Sequence, residues 1–127
     1  MKKLVVIFCL GTMIVSCGGS DSKESKEEAR QEAAQTAEQS PEYKKGLELV
    51  GKSDCFTCHK VSEAFIAPSY EAVAARYEMT APVLDTLAEK IIKGGAGRWG
   101  TVPMTAHPQI SEDDAKAMVK YIMSLKK

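Results

Sequence analysis

Between Gly18 and Ser40 the sequence contains no leucine, isoleucine, valine, methionine or aromatic residue. A stretch without such side chains has no apolar face to bury and cannot contribute to a core. The folded unit is therefore confined to residues 41–127, which is room for one compact domain and not two. Charge divides along the same boundary. Residues 18–40 hold 3 basic and 6 acidic side chains, whereas residues 41–127 hold 12 and 11. The acidic stretch reads as a solvated spacer. The near-neutral domain offers no electrostatic footprint for nucleic acid or for an anionic membrane surface.

Residues 1–16 read as a secretory leader, with Lys2 and Lys3 followed by an apolar run from Leu4 to Val15 and then small residues. The run is shorter than the roughly 20 residues that a spanning helix needs. Ile14-Val15-Ser16-Cys17 resembles the lipobox of bacterial lipoproteins, which implies cleavage before Cys17 and acylation of that cysteine. Several acyl chains hold a protein to a bilayer far better than one, because each buried methylene contributes about 0.8 kcal/mol. Residues 17–40 then form a lipid-anchored tether, with a mean reach of about 25 Å if it is a flexible coil. The expected location is the periplasmic side of a bacterial membrane.

The domain reads as all-α. Ser40 and Pro41 suit a helix start, and Tyr43, Leu47 and Val50 follow at helical spacing, predicting a helix over 41–51. A second is expected over 69–78. A third runs from Ala81-Pro82 to Gly94, which suits a helix C-terminus. The last starts at Ser111, with Asp114 three residues on, and carries Ala115, Met118, Val119, Ile122 and Leu125 as its apolar stripe. Lys126 and Lys127 suit its negative end. No segment alternates over the length of a strand, so 53–68 and 94–110 are expected to be irregular loops.

Those loops hold the chemistry. Cys55-Phe56-Thr57-Cys58-His59 has the C-x-x-C-H spacing of haem c attachment. Two thiols three positions apart each form a thioether to one haem vinyl group, and the adjacent histidine falls where it binds iron. The leader supplies the exported setting in which the motif is specific. Three plainer readings compete. A thioredoxin-like dithiol belongs beside a βαβ pattern, which is missing. A Cys55–Cys58 disulfide would close too small a loop to stabilise much. A zinc site from Cys55, Cys58, His59 and His107 would ask adjacent Cys58 and His59 to reach two corners of one tetrahedron.

The second axial position has Met79, Met104, Met118, Met123 and His107 as candidates. Met118 and Met123 lie on the last helix, where methionine usually fills the core, and Met79 ends the second. Met104 lies in Arg98-Trp99-Gly100-Thr101-Val102-Pro103-Met104, where no helix packing requires it and Pro103 restricts the backbone before it. Met104 is the expected ligand, and His107 is expected to be solvent-exposed. A neutral thioether favours ferrous iron and raises the reduction potential. Gly95-Ala96-Gly97-Arg98-Trp99-Gly100 fits G-x-G-x-x-G, but it follows a helix and opens none, so it is no dinucleotide fingerprint. The glycines instead let the backbone turn closely past a haem edge.

Together, Cys55–His59, Ile66-Ala67-Pro68-Ser69-Tyr70, Trp99–Met104 and Tyr121-Ile122-Met123-Ser124-Leu125-Lys126 resemble the class I cytochromes c, in particular the short bacterial monohaem type, over residues 41–127. The resemblance implies the cytochrome c fold, four main helices around one covalent haem c. It implies that the Pro68 carbonyl accepts from His59 Nδ1, beside the plainer role of a helix-start proline, and that the Trp99 indole donates to a haem propionate. Arg98 would help neutralise a propionate or stand exposed. The first and last helices would cross with Gly46 close to Tyr121. The implied function is one-electron transfer between redox protein partners, by a monomer that is not an enzyme and binds no small-molecule substrate. Two other functions fit the same residues: a haem sensor or enzyme in which Met104 dissociates, and a fixed subunit of a respiratory complex.

Overall fold

A computed structural model describes residues 40–127. The leader over 1–16, the lipid site at Cys17 and the tether as far as residue 39 lie outside the described residues. In chain order the structure contains α1 (Pro41–Lys52), a 3₁₀ turn (Cys55–Thr57), α2 (Tyr70–Arg76), α3 (Ala81–Lys93), β1 (Gly95–Gly97), β2 (Gly100–Met104) and α4 (Glu112–Ser124).

Side-chain caps set three of the four helix starts. Ser40 Oγ accepts from the Tyr43 amide at 3.1 Å, Ser69 Oγ from the Ala72 amide at 3.2 Å and Ser111 Oγ from the Asp114 amide at 3.2 Å. Each satisfies an amide that has no partner within the helix. Pro41 and Pro82 occupy the first turns of α1 and α3, where a missing N–H costs nothing. Gly94 ends α3 at φ 65°, a conformation that favours glycine.

Helix α2 is shorter than the expected 69–78. Tyr77 leaves it in extended conformation and packs against the core, while its carbonyl accepts from Lys126 Nζ at 3.4 Å. Lys126 also pairs with Glu78 at 2.7 Å, and Lys127 with Glu71 at 2.8 Å. The two terminal lysines thus tie the chain end to α2 and the segment after it, and neither lies in the last turn of α4 as expected.

Helix α4 is the hub, with α1, α2 and α3 all packed on it. Met118, Val119 and Ala115 from its apolar stripe are buried with Val50 of α1, Tyr70 of α2 and Ile91 of α3. The closest approach is between α1 and α4. A Cβ on Gly46 would lie 2.6 Å from Tyr121 Cβ and also collide with the Ala117 carbonyl. Tyr43 meets the same tyrosine edge-on, with ring centroids 5.1 Å apart. The Lys45–Asp114 and Lys120–Glu42 pairs border this contact, but exposed pairs contribute little beside packing.

One expectation is overturned. Part of the 94–110 loop is a two-stranded antiparallel hairpin, in which Gly95 pairs with Met104 and Gly97 with Gly100, with a register irregularity between Gly95 and Gly97. Alternation could not reveal it, because Gly95-Ala96-Gly97 carries almost no side chain to alternate. Gly95, Gly97 and Gly100 take φ of 98°, 115° and 116°, so backbone freedom makes the ribbon. It is a minor addition to an all-α fold.

The glycines of α1 make opposite predictions. Gly46→Ala forces α1 off α4 and should cost about 1–3 kcal/mol despite alanine's better helix propensity. Gly51 has nothing within 4 Å of the corresponding Cβ, so Gly51→Ala should stabilise by about 0.5–1 kcal/mol. Denaturant unfolding of the haem-loaded protein, followed by circular dichroism, checks both signs.

Candidate haem-binding site

Beyond α1 the chain reverses through Asp54, which adopts a left-handed φ of 53°. The turn that follows is closed by the Thr57 amide on the Asp54 carbonyl at 2.9 Å and the His59 amide on the Cys55 carbonyl at 3.0 Å. This turn delivers Cys55, Cys58 and His59 to the wall of one cavity of about 640 Å³. Both cysteines are free thiols and half-buried. Burial and the neighbouring Asp54 carboxylate push the Cys55 thiol above its usual range. A disulfide-exchange dithiol requires the opposite shift.

His59 Nδ1 lies 2.7 Å from the Pro68 carbonyl oxygen. A carbonyl only accepts, so the proton sits on Nδ1 and Nε2 keeps its lone pair. The ring stacks on Tyr70, with centroids 5.1 Å apart and planes inclined by 14°. Tyr70 also meets Phe56 and Tyr121 edge-on, and burial, with Cys55 beside it, holds its phenol firmly protonated. The sequence assigned Tyr70 no role of its own; its place in Ile66–Tyr70, two residues after Pro68, was the available signal. Pro68 itself is held where the segment after the motif is stitched down, by the Ala67 amide on the Cys58 carbonyl at 3.1 Å and the Tyr70 amide on the Lys60 carbonyl at 3.0 Å. It also immediately precedes the Ser69 cap, so both geometric readings of this proline hold.

The hairpin forms another wall. Met104, at the end of β2, is half-buried, packs against the core and lines the cavity. Among the other candidates, Met79 is 48% exposed and Met123 is buried away from the cavity. Met118 borders the cavity but is fully buried within α4. Trp99 and Arg98 are the turn residues of the hairpin. An indole N–H needs a partner when buried, but this indole is open to solvent. It is 41% exposed, with the Arg76 guanidinium 4.4 Å above its ring. Arg98 is exposed at the cavity mouth.

His107 is a second correction. Expected in solvent, it is 8% exposed. Its Nδ1 lies 3.3 Å from the Ile91 carbonyl and its Nε2 3.1 Å from Asp54 Oδ1. Its amide reaches the Ile91 and Ile92 carbonyls at the end of α3. Loop position suggested exposure because the partners lie 16 and 53 residues away in the chain. Both ring nitrogens of His107 are thus engaged, and among the described residues no group of His, Cys, Asp and Glu is arranged to hold an ion. The four zinc candidates do not form a tetrahedron.

A family model described as Cytochrome c matches residues 43–126. The chain belongs to the cytochrome c family. It is 40% identical over 86 residues to the cytochrome c-551 of Allochromatium vinosum, covering 68% of this chain and 92% of that one. Against the cytochrome c-551 of Azotobacter vinelandii the identity is 38% over 81 residues, covering 64% and 98%. The crystal structure of wild-type Nitrosomonas europaea cytochrome c552 superposes with a TM-score of 0.58 at 35% identity, covering 63% of this chain and 99% of that one.

Cytochromes c of this class bind one covalent haem c through C-x-x-C-H, here Cys55 to His59, and are electron carriers and not enzymes. The residues present fit that group. The cavity lies within the roughly 300–1,000 Å³ of ligand sites and is walled mainly by apolar side chains, with two free thiols and an imidazole carrying an available lone pair. In this cytochrome c the His107 brace ties the start of the attachment turn to α3. His107→Leu should therefore cost about 1–3 kcal/mol, through the carboxylate and carbonyl contacts it loses. An exposed loop histidine would cost at most about 0.5 kcal/mol; urea unfolding of the holoprotein decides between these values.

Proposed function

We propose that this cytochrome c is an exported, lipid-anchored one-electron carrier that shuttles between membrane-bound or periplasmic redox protein partners. The observation that carries the proposal is the meeting of Cys55, Cys58, a Pro68-oriented His59 and Met104 on one largely apolar cavity. In this reading Cys55 and Cys58 would hold the haem through thioethers, and His59 Nε2 and Met104 Sδ would bind its iron. Trp99 donates its indole hydrogen to a propionate. The bound haem iron supplies a reversible one-electron couple.

The remaining work belongs to the protein. The Pro68 carbonyl fixes the His59 ring and strengthens it as a donor. The neutral, soft sulfur of Met104 favours the reduced state. Filling both axial positions denies iron to small molecules, which suits transfer and not turnover. Phe65, Ile66 and Val102, between 51% and 63% exposed on the rim of the cavity, give a redox partner an apolar surface to meet. Cys17 anchors the domain through its acyl chains, and residues 18–40 give it reach.

Mass spectrometry of the mature protein should find one haem on Cys55 and Cys58 and acyl chains on Cys17. Unmodified thiols at 55 and 58 would overturn the carrier, and an unmodified Cys17 would overturn the anchor alone. Met104→Ala should retain the haem, lower the reduction potential, abolish the ferric sulfur-to-iron absorption band and admit carbon monoxide to the ferrous form. Survival of that band would transfer the role to another methionine, with Met118 next in line.

A further inference from the structure

The hairpin that ends at Met104 has little holding it from outside. Its residues are exposed except for Met104, and one face borders the cavity. At its root, Gly94 is wedged so that a Cβ would lie 2.8 Å from the Ala106 amide nitrogen. At its tip, among the described residues, the attachment comes from one side chain of α2. Arg76, the last residue of α2, places its guanidinium 4.4 Å above the Trp99 ring and donates from Nη1 to the Arg98 carbonyl at 2.9 Å. Trp99 and Arg98 form the turn, so one planar group stacks on one turn residue and hydrogen-bonds to the backbone of the other. Lysine does this less well, because it offers one compact ammonium in place of a planar fork of donors.

The placement of α2 gives this contact its meaning. Its Ser69 cap directly follows Pro68, whose carbonyl orients His59. From Pro68 through α2 to Arg76, and on through the Arg98-Trp99 turn along β2 to Met104, the chain makes one mechanical path between the supports of the two proposed axial donors. Arg76 is the non-covalent link in it.

We propose that Arg76 is a positioning residue, a clamp that holds the hairpin tip to α2 and thereby limits how often Met104 swings out of the cavity wall. Its second readout rests on the Met104 reading; its first does not. A guanidinium stacked on an exposed indole and hydrogen-bonded to a carbonyl amounts to about a tenfold shift in an opening equilibrium, by the general strengths of such contacts.

Amide hydrogen exchange on the mature, haem-loaded protein tests the clamp directly. Arg76→Ala should lower protection of the hairpin amides about tenfold while amides of α1 and α4 keep theirs, and Arg76→Lys should fall between. Hairpin protection within twofold of wild type, or an equal loss throughout the domain, overturns the clamp. The consequence for Met104 is read by the rate at which imidazole enters the ferric protein. Arg76→Ala should raise it about tenfold, and an unchanged rate beside a loosened hairpin overturns the link to Met104. Absence of the sulfur-to-iron band from wild type would refute Met104 as a ligand, and hydrogen exchange would still decide the clamp.

Discussion

Everything in this domain is arranged around a cavity that its own side chains do not fill. About 640 Å³ is bordered by Val50, Ile91, Met118 and Val119, which are also the buried residues that join α1, α3 and α4. Because the residues that border the cavity are the ones that join the helices, a group that fills it becomes a structural component of the core. A polypeptide of this length cannot tolerate a loosely held filler, and two thioethers are a physical solution to that problem. Attachment and folding are then coupled, in the way that metal binding is coupled to folding in other small domains.

The same constraint explains why α2 is so much shorter than the other three helices. α1 and α4 meet through Gly46 at a distance that no other residue permits, and this contact does not involve the cavity. It supplies a fixed frame. α2 is short because its task is local: Ser69 and Tyr70 at its start hold Pro68 and stack on His59, and Arg76 at its end reaches the hairpin. α3 ends at a glycine that allows the chain to turn into that hairpin. Burial is concentrated in the frame, whereas beside the cavity the His59 and His107 rings are held by hydrogen-bond partners. An oriented polar group needs a rigid support more than it needs bulk.

What the sequence made legible follows this division. Helical periodicity and the caps at Ser40, Ser69 and Ser111 are local signals, and the elements they announced lie within a few residues of their expected bounds. The C-x-x-C-H motif and Met104 were legible for a similar reason, since spacing and the lack of a packing role are properties of short segments. The misses all depend on distant partners. The hairpin rests on glycine backbone freedom and pairing, which leave no side-chain alternation. His107 is buried by Asp54, 53 residues earlier in the chain. No local signal in the sequence singles out Arg76, whose guanidinium lies 4.4 Å from the Trp99 ring. Spacing identifies the groups that react; only folding reveals those that hold them in place.

That distinction bears on what an electron carrier requires. Transfer is fast when the metal's surroundings barely change between oxidation states, so the premium falls on ligand supports that do not move. A histidine whose ring is fixed by the Pro68 carbonyl at 2.7 Å and by a stacked Tyr70 has no softer orientation available. Met104 is different, because it ends a strand in a ribbon that shows most of its residues to solvent. The two sides of the site are therefore unequal in stiffness, and if Met104 binds the iron as proposed, opening to outside ligands would begin on its side. On the clamp proposed for Arg76, the fastening of the hairpin tip would then distinguish a carrier from a sensor without any change in the residues on the cavity wall.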